Sequence, residues 1–202
     1  MLFRSSSFIA LCAFASVAAG EDESRIVGGE ESDSGAFPWF TANTGYNCGA
    51  SLIYEDIVLT AAHCFVDTVD EFFDAFQDGV KIGTENMNDV ATFREVVKRI
   101  PHPGWNTDTN ANDIMILVLD EPVTNIVPLN WERSASAPSA GGTLTVMGFG
   151  SLSSGGSYPD VLMQVNVDAF DGAACTAQYD TAVELDVMFC AGVTGGGKDS
   201  CQ

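Results

Sequence analysis

The stretch Leu59-Thr60-Ala61-Ala62-His63-Cys64 decides how the rest of the chain is read. It closes a β-prone apolar run and sets one of only two histidines behind two alanines and beside a cysteine. Small residues there let the backbone pack closely while the imidazole faces outward. An imidazole with an ordinary pKa near 6.5 accepts protons at neutral pH, and general-base work requires it to be held rigidly. A structural histidine at a strand end is the other reading these six residues allow.

Upstream, Cys48-Gly49-Ala50-Ser51-Leu52-Ile53 and Ile57-Val58-Leu59-Thr60 are β-rich runs joined by a turn at Tyr54-Glu55-Asp56. Phe37-Pro38-Trp39-Phe40 reads as an edge strand bent by its proline. Downstream, Asp67 to Asp78 places Phe72, Phe73 and Phe76 at helical spacing among acids, which predicts a surface helix or loop with one packed face. Further strands are expected at Val80-Lys81-Ile82-Gly83, Phe93 to Val97 and Ile114 to Leu119. His102, between Pro101 and Pro103, reads as a structural loop residue. Asp113 immediately precedes a buried apolar strand, and a carboxylate at such a mouth needs a donor such as an imidazole N–H.

Ser134 to Gly142 reads as a crossover between two halves. Beyond it, Thr143 to Gly148, Val161 to Val167 and Phe189 to Gly192 are strand-like, and Ala173 to Tyr179 is a short helix capped by Asp171. No repeat or helical-bundle pattern occurs, so the fold class is all-β with short helices.

With 202 residues, 46% of them hydrophobic, the chain can bury a sizeable core. A net charge of -20 excludes nucleic acid and anionic membrane surfaces as partners, favours cationic substrates, and equally serves solubility. Arg4, the apolar run Phe8 to Val17 and Ala18-Ala19-Gly20 form a secretory signal over residues 1–20, too short for a membrane span. Export implies an oxidising compartment in which cysteines pair. Removal of Cys12 with the signal leaves Cys48, Cys64, Cys175, Cys190 and Cys201, an odd number that leaves one without a partner. No N-glycosylation sequon occurs. Residues 21–25 are a short polar segment ending in Arg25, ahead of Ile26-Val27-Gly28-Gly29. A cut after Arg25 makes an apolar amino terminus able to swing inward, where its charge needs a carboxylate. An ordinary strand start after a linker is the alternative.

Taken with the closing segment Gly196-Gly197-Lys198-Asp199-Ser200-Cys201-Gln202, the Ile26 to Gly29, Leu59 to Cys64 and Asp113 stretches closely resemble the secreted trypsin-like members of the chymotrypsin family of serine proteases. The resemblance runs from Ile26 onward. It implies two six-stranded antiparallel β-barrels, the first over about residues 26–130 and the second, incomplete in this chain, over about 140–202. His63 matches the general base and Asp113 the carboxylate that fixes its tautomer. Asp199 matches the base of the specificity pocket, flanked by Ser200 and Gln202, so cleavage is expected after Lys or Arg. Arg25–Ile26 matches the zymogen activation bond. By the family pattern Cys48 pairs with Cys64 and Cys175 with Cys190, while Cys201 stays unpaired.

The chain also departs from the family. Thr84 stands where the family's calcium loop carries an acidic residue, and Arg94 falls near another ligand position, so neither metal nor cofactor is expected. Phe149 replaces a tryptophan usual between Gly148 and Gly150. The sequence stops at Gln202, just before the family's Gly-Asp-Ser-Gly-Gly segment, which supplies the nucleophile and the oxyanion hole. The resemblance therefore implies a secreted endopeptidase precursor whose serine lies beyond these residues, the 202-residue chain alone being inactive. Its partners would be protein or peptide substrates and protein protease inhibitors, and the complete enzyme would be a monomer. The alternative is a non-catalytic, protease-derived secreted binding module, and a third reading is a structural or adhesive β protein.

Overall fold

A computed structural model of the chain describes residues 28–67, 72–131, 134, 138–152, 156–177 and 183–195. The strands are β1 (Glu30–Glu31), β2 (Phe40–Asn43), β3 (Gly49–Tyr54), β4 (Ile57–Thr60), β5 (Phe65–Asp67), β6 (Phe72–Asp74), β7 (Val80–Ile82), β8 (Thr92–Arg94), β9 (Val96–Pro101), β10 (Met115–Leu119), β11 (Thr143–Gly148), β12 (Met163–Ala169) and β13 (Ala191–Gly192). A 3-10 turn spans Ala62–Cys64, and a helix, α1, spans Gly172–Thr176. The signal segment, Arg25, Ile26, Asp199, Ser200, Cys201 and Gln202 lie outside the described residues.

The larger sheet is antiparallel and runs β8-β7-β2-β3-β4-β10-β9. Its two ends are consecutive in sequence, separated only by Glu95, so one bent run of chain pairs with both flanks. The sheet therefore closes on itself as a six-stranded barrel, which removes its free edges. Glu95 and Asp120 hold the bend, with Glu95 N–H donating to Asp120 Oδ1 and Asp120 N–H to the Glu95 carbonyl, each at 3.0 Å. Alternation supplies the interior: Met115, Leu117 and Leu119 of β10 point inward, meeting Leu52, Val58, Val80, Ile82 and Phe76. Each fully buried aliphatic or aromatic side chain contributes roughly 1.5–3 kcal/mol.

A second antiparallel sheet runs β1-β12-β11, with β13 also on β12. Strand β12 alternates Met163, Val165, Val167 and Ala169 inward with Gln164, Asn166 and Asp168 outward or half-buried. The two sheets meet through Phe149, which is buried against Phe40 at 5.8 Å and Tyr46 at 5.0 Å between ring centroids. The Asn86–Val161 bridge and the Tyr46 hydroxyl donating to the Met87 carbonyl at 2.9 Å lie at the same junction. Phenylalanine at 149 thus serves as the apolar wedge between the sheets. This is a trypsin-like two-barrel, all-β architecture.

Two local expectations are corrected. The strand read at Phe37–Phe40 begins only at Phe40, and it is interior, lying between β7 and β3. Pro38, lacking an N–H, falls in the turn before it. The polar residues Thr41 and Asn43 are buried there because Thr41 Oγ1 donates to the Trp39 carbonyl and Asn43 Nδ2 to the Ala75 carbonyl. Of the Asp67 to Asp78 segment, read as a surface helix or loop, the described residues form no helix: β5 and β6 pair with each other, and a turn follows. Only Phe76 of its three phenylalanines is fully buried; Phe72 and Phe73 are exposed. Period-two pairing with Phe65–Asp67 outweighs the helical spacing of the aromatics.

Candidate active site

Strand β4 ends at Thr60 and leads into the 3-10 turn Ala62–Cys64, whose flanking residues Ala62 and Cys64 are buried. Their burial turns His63, between them, away from the barrel core. Cys64 is bonded to Cys48, just ahead of β3, so the turn is covalently tied to the barrel wall. The Phe65 N–H donates to the Ala62 carbonyl and closes the turn.

Asp113 comes to the same place from β10. The Ile114 N–H donates to the Asn112 carbonyl at 2.8 Å, wrapping the backbone tightly around Asp113. Asn112 adopts a left-handed φ of 58°, a conformation asparagine tolerates, and its Nδ2 donates to the Gly104 carbonyl at 3.0 Å. The resulting carboxylate grips His63 at two points. Its Oδ2 lies 2.6 Å from His63 Nδ1, and its Oδ1 accepts the His63 backbone N–H at 2.8 Å.

Burial alone would raise the Asp113 carboxyl. The His63 ring and backbone N–H groups, the charge of His63 and the Ala62 N–H outweigh it and hold the group below the ordinary carboxylate range. An ionised Asp113 facing Nδ1 fixes the tautomer with the proton on Nδ1 and leaves Nε2 as the basic nitrogen. The His63 side chain is 38% exposed against 24% for Asp113, with its Nε2 atom itself buried.

His102 remains a loop residue, its Nδ1 accepting the Gly104 N–H at 3.1 Å. Cys175 and Cys190 are bonded to each other, and Asp171 caps α1 by accepting the Ala174 N–H at 2.8 Å. The Cys48, His63 and Cys64 ligand atoms cluster within 4.8 Å, but both sulfurs are spent in the disulfide and offer no thiolate to a metal.

The calcium loop of the family is a poor fit as well. Thr84 is buried with its hydroxyl donating to the Asn86 carbonyl at 2.9 Å, and the Glu85 carboxylate accepts from Ser34 Oγ at 2.8 Å and from the Gly35 N–H. The Arg94 guanidinium covers the Phe93, Glu121 and Pro122 carbonyls. One carboxylate, already engaged, with a cation nearby in sequence, is not the oxygen-rich set a calcium ion takes.

Sequence reasoning overlooked the ion pair Arg99–Asp74, at 2.7 Å and largely buried, behind the hairpin that follows His63. Its one signal was an arginine inside the apolar run Val96-Val97-Lys98-Arg99-Ile100.

Residues 26–202 match the family model described as Trypsin. The chain is 36% identical over 211 residues to Trypsin I-P38 of Gallus gallus, an alignment covering 96% of this chain and 79% of that protein. It is 34% identical over 199 residues to a trypsin of Xenopus laevis, with the same two coverages. To Cationic trypsin-3 of Rattus norvegicus it is 34% identical over 191 residues, covering 90% of this chain and 72% of the relative.

Proposed function

The chain belongs to the trypsin family of serine proteases, and from that premise we propose that it is part of a secreted zymogen that cuts after Lys or Arg, with His63 and Asp113 as two members of its triad. The observation that carries this reading is the two-point grip of Asp113 on His63, at 2.6 Å to the ring and 2.8 Å to the backbone.

In this reading His63 Nε2 takes the hydroxyl proton of a serine contributed by chain beyond residue 202, as that oxygen attacks the scissile carbonyl. Asp113 retains the Nδ1 proton and offsets the charge of the imidazolium. His63 then returns the proton to the leaving amine, and water attacking the acyl group completes the cycle. Asp199 meets the cationic side chain of the substrate, with Ser200 and Gln202 lining the same pocket. The charge of -20 supports attraction of basic segments. Residues 1–20 direct export, and a cut at Arg25–Ile26 activates the enzyme. Among the described residues no helix is long and apolar enough to cross a membrane.

The test is expression of the full reading frame, cleavage at Arg25, and turnover of peptides differing only in Arg, Lys or Leu before the scissile bond. Acylation by a serine-directed reagent with Arg and Lys preferred is the expected result; a Leu preference would remove the Asp199 assignment.

A further inference from the structure

Between His63 and Asp113 runs a second, longer connection through the barrel wall. Cys64 leads directly into β5, and β5 pairs with β6 so that Phe65 faces Asp74. The Ala75 N–H donates to the Cys64 carbonyl at 3.0 Å, tying the far end of the hairpin back beside His63. Asp74 Oδ2 lies 2.7 Å from Arg99 Nη2, and the two side chains are only 7% and 18% exposed. Arg99 Nη2 also donates to the Phe76 carbonyl at 2.9 Å and Nη1 to the Val96 carbonyl at 3.2 Å, while the guanidinium lies 6.0 Å from the Phe65 ring centroid. Asp74 Oδ1 is occupied as well, accepting the Phe76 N–H at 2.9 Å. Arg99 belongs to β9, where it sits opposite Leu117 of β10, the strand that Asp113 precedes. The path His63, Phe65, Asp74, Arg99, β10, Asp113 is therefore a closed ring.

We propose that Arg99, through its buried pair with Asp74, is a positioning residue that clamps the hairpin following His63 onto the strand beside β10 and so sets the register of the imidazole against Asp113. This rests on the reading of His63 and Asp113 as a catalytic pair. A buried ion pair is weak as a source of stability but strong as a geometric constraint, because a guanidinium holding one carboxylate and two carbonyls admits one arrangement. An apolar contact at the same place slides; this one does not.

The test uses NMR titration of His63 in the protein expressed from its full reading frame, with His63→Gln assigning its signal. Two neutral pairs, Arg99→Gln with Asp74→Asn and Arg99→Met with Asp74→Asn, remove both charges so that neither is left buried alone. In a folded neutral pair the His63 midpoint should fall by about 0.5 pH unit or more towards that of Asp113→Asn, and its Nδ1 proton should exchange faster with water. Arg99→Lys, which keeps the charge but not the fork, should fall less. A folded neutral pair whose His63 titration and Nδ1 proton match the parent overturns the proposal. Loss of folding in both neutral pairs also counts against it, by making the ion pair a requirement of the barrel instead. If Asp113→Asn itself leaves His63 unmoved, the catalytic pairing fails, independently of the clamp.

Discussion

His63 and His102 leave the same end of the same barrel. Met115, at the start of β10, pairs with Thr60 on one side and Pro101 on the other, so the segments carrying both histidines emerge beside Asp113. Yet only one of them meets the carboxylate. His63 rides on a turn whose neighbours are buried and whose next residue is disulfide-bonded, and both Asp113 oxygens are directed at it. His102 spends its backbone N–H on the Ile114 carbonyl and its Nδ1 on the Gly104 N–H, which turns it into a spacer of the loop. Position at a sheet end is not enough to make a base; the ring must be fixed on one nitrogen and left basic on the other.

Four measurements break or sharpen that contrast. In the complete activated enzyme, His63→Ala should lower kcat by roughly 10^6-fold, the size lost when such a base is removed, while His102→Ala stays within about twofold. A comparable loss in His102→Ala would erase the distinction. Asp113→Asn comes next, lowering kcat by roughly 10^4-fold by leaving the wrong tautomer at His63; the same substitution at Asp108, an exposed residue of the loop between His102 and Asp113, should leave steady-state rates unchanged. Replacing Cys48 and Cys64 together by serine opens a closure of 16 residues and should cost about 3 kcal/mol in denaturant unfolding. Retained stability with lost activity would show the bridge serving the imidazole alone.

The smallest effect concerns acid. A carboxyl held below its ordinary range contributes stability that is complete above the unfolded pKa and is lost as pH falls through the folded one. Asp113→Asn should therefore flatten the acid limb of unfolding, and an unchanged limb would deny Asp113 its ionised partner role.

Much of this was legible in the sequence because it is local. The run Ile57 to Thr60, the strand Thr143 to Gly148 and the Asp171 cap are written in adjacent residues, and β4, β11 and α1 follow them. Asp113 was legible because a carboxylate ahead of an apolar strand has to find a donor. The hairpin at Phe65–Asp74 was not, since its aromatic spacing fits a helix and one of the contacts that hold it comes from Arg99 on a distant strand of the barrel. Strand β2 was misplaced for a related reason: nothing local announces that Thr41 and Asn43 have buried partners waiting at Trp39 and Ala75. The charged clamp was missed because an ion pair across 25 residues leaves no mark at either end beyond one arginine among valines.

The closed barrel also bears on how such an enzyme survives its own kind. Four of the eight Lys and Arg residues, Lys81, Arg94, Lys98 and Arg99, lie in β7, β8 and β9. A scissile bond must be drawn out as an extended single strand before a protease can grasp it, and these four are stitched into a ring with no loose edge from which to peel. For the proposed Lys/Arg specificity, the same closure that brings His63 to Asp113 hides these four cleavage sites from autolysis.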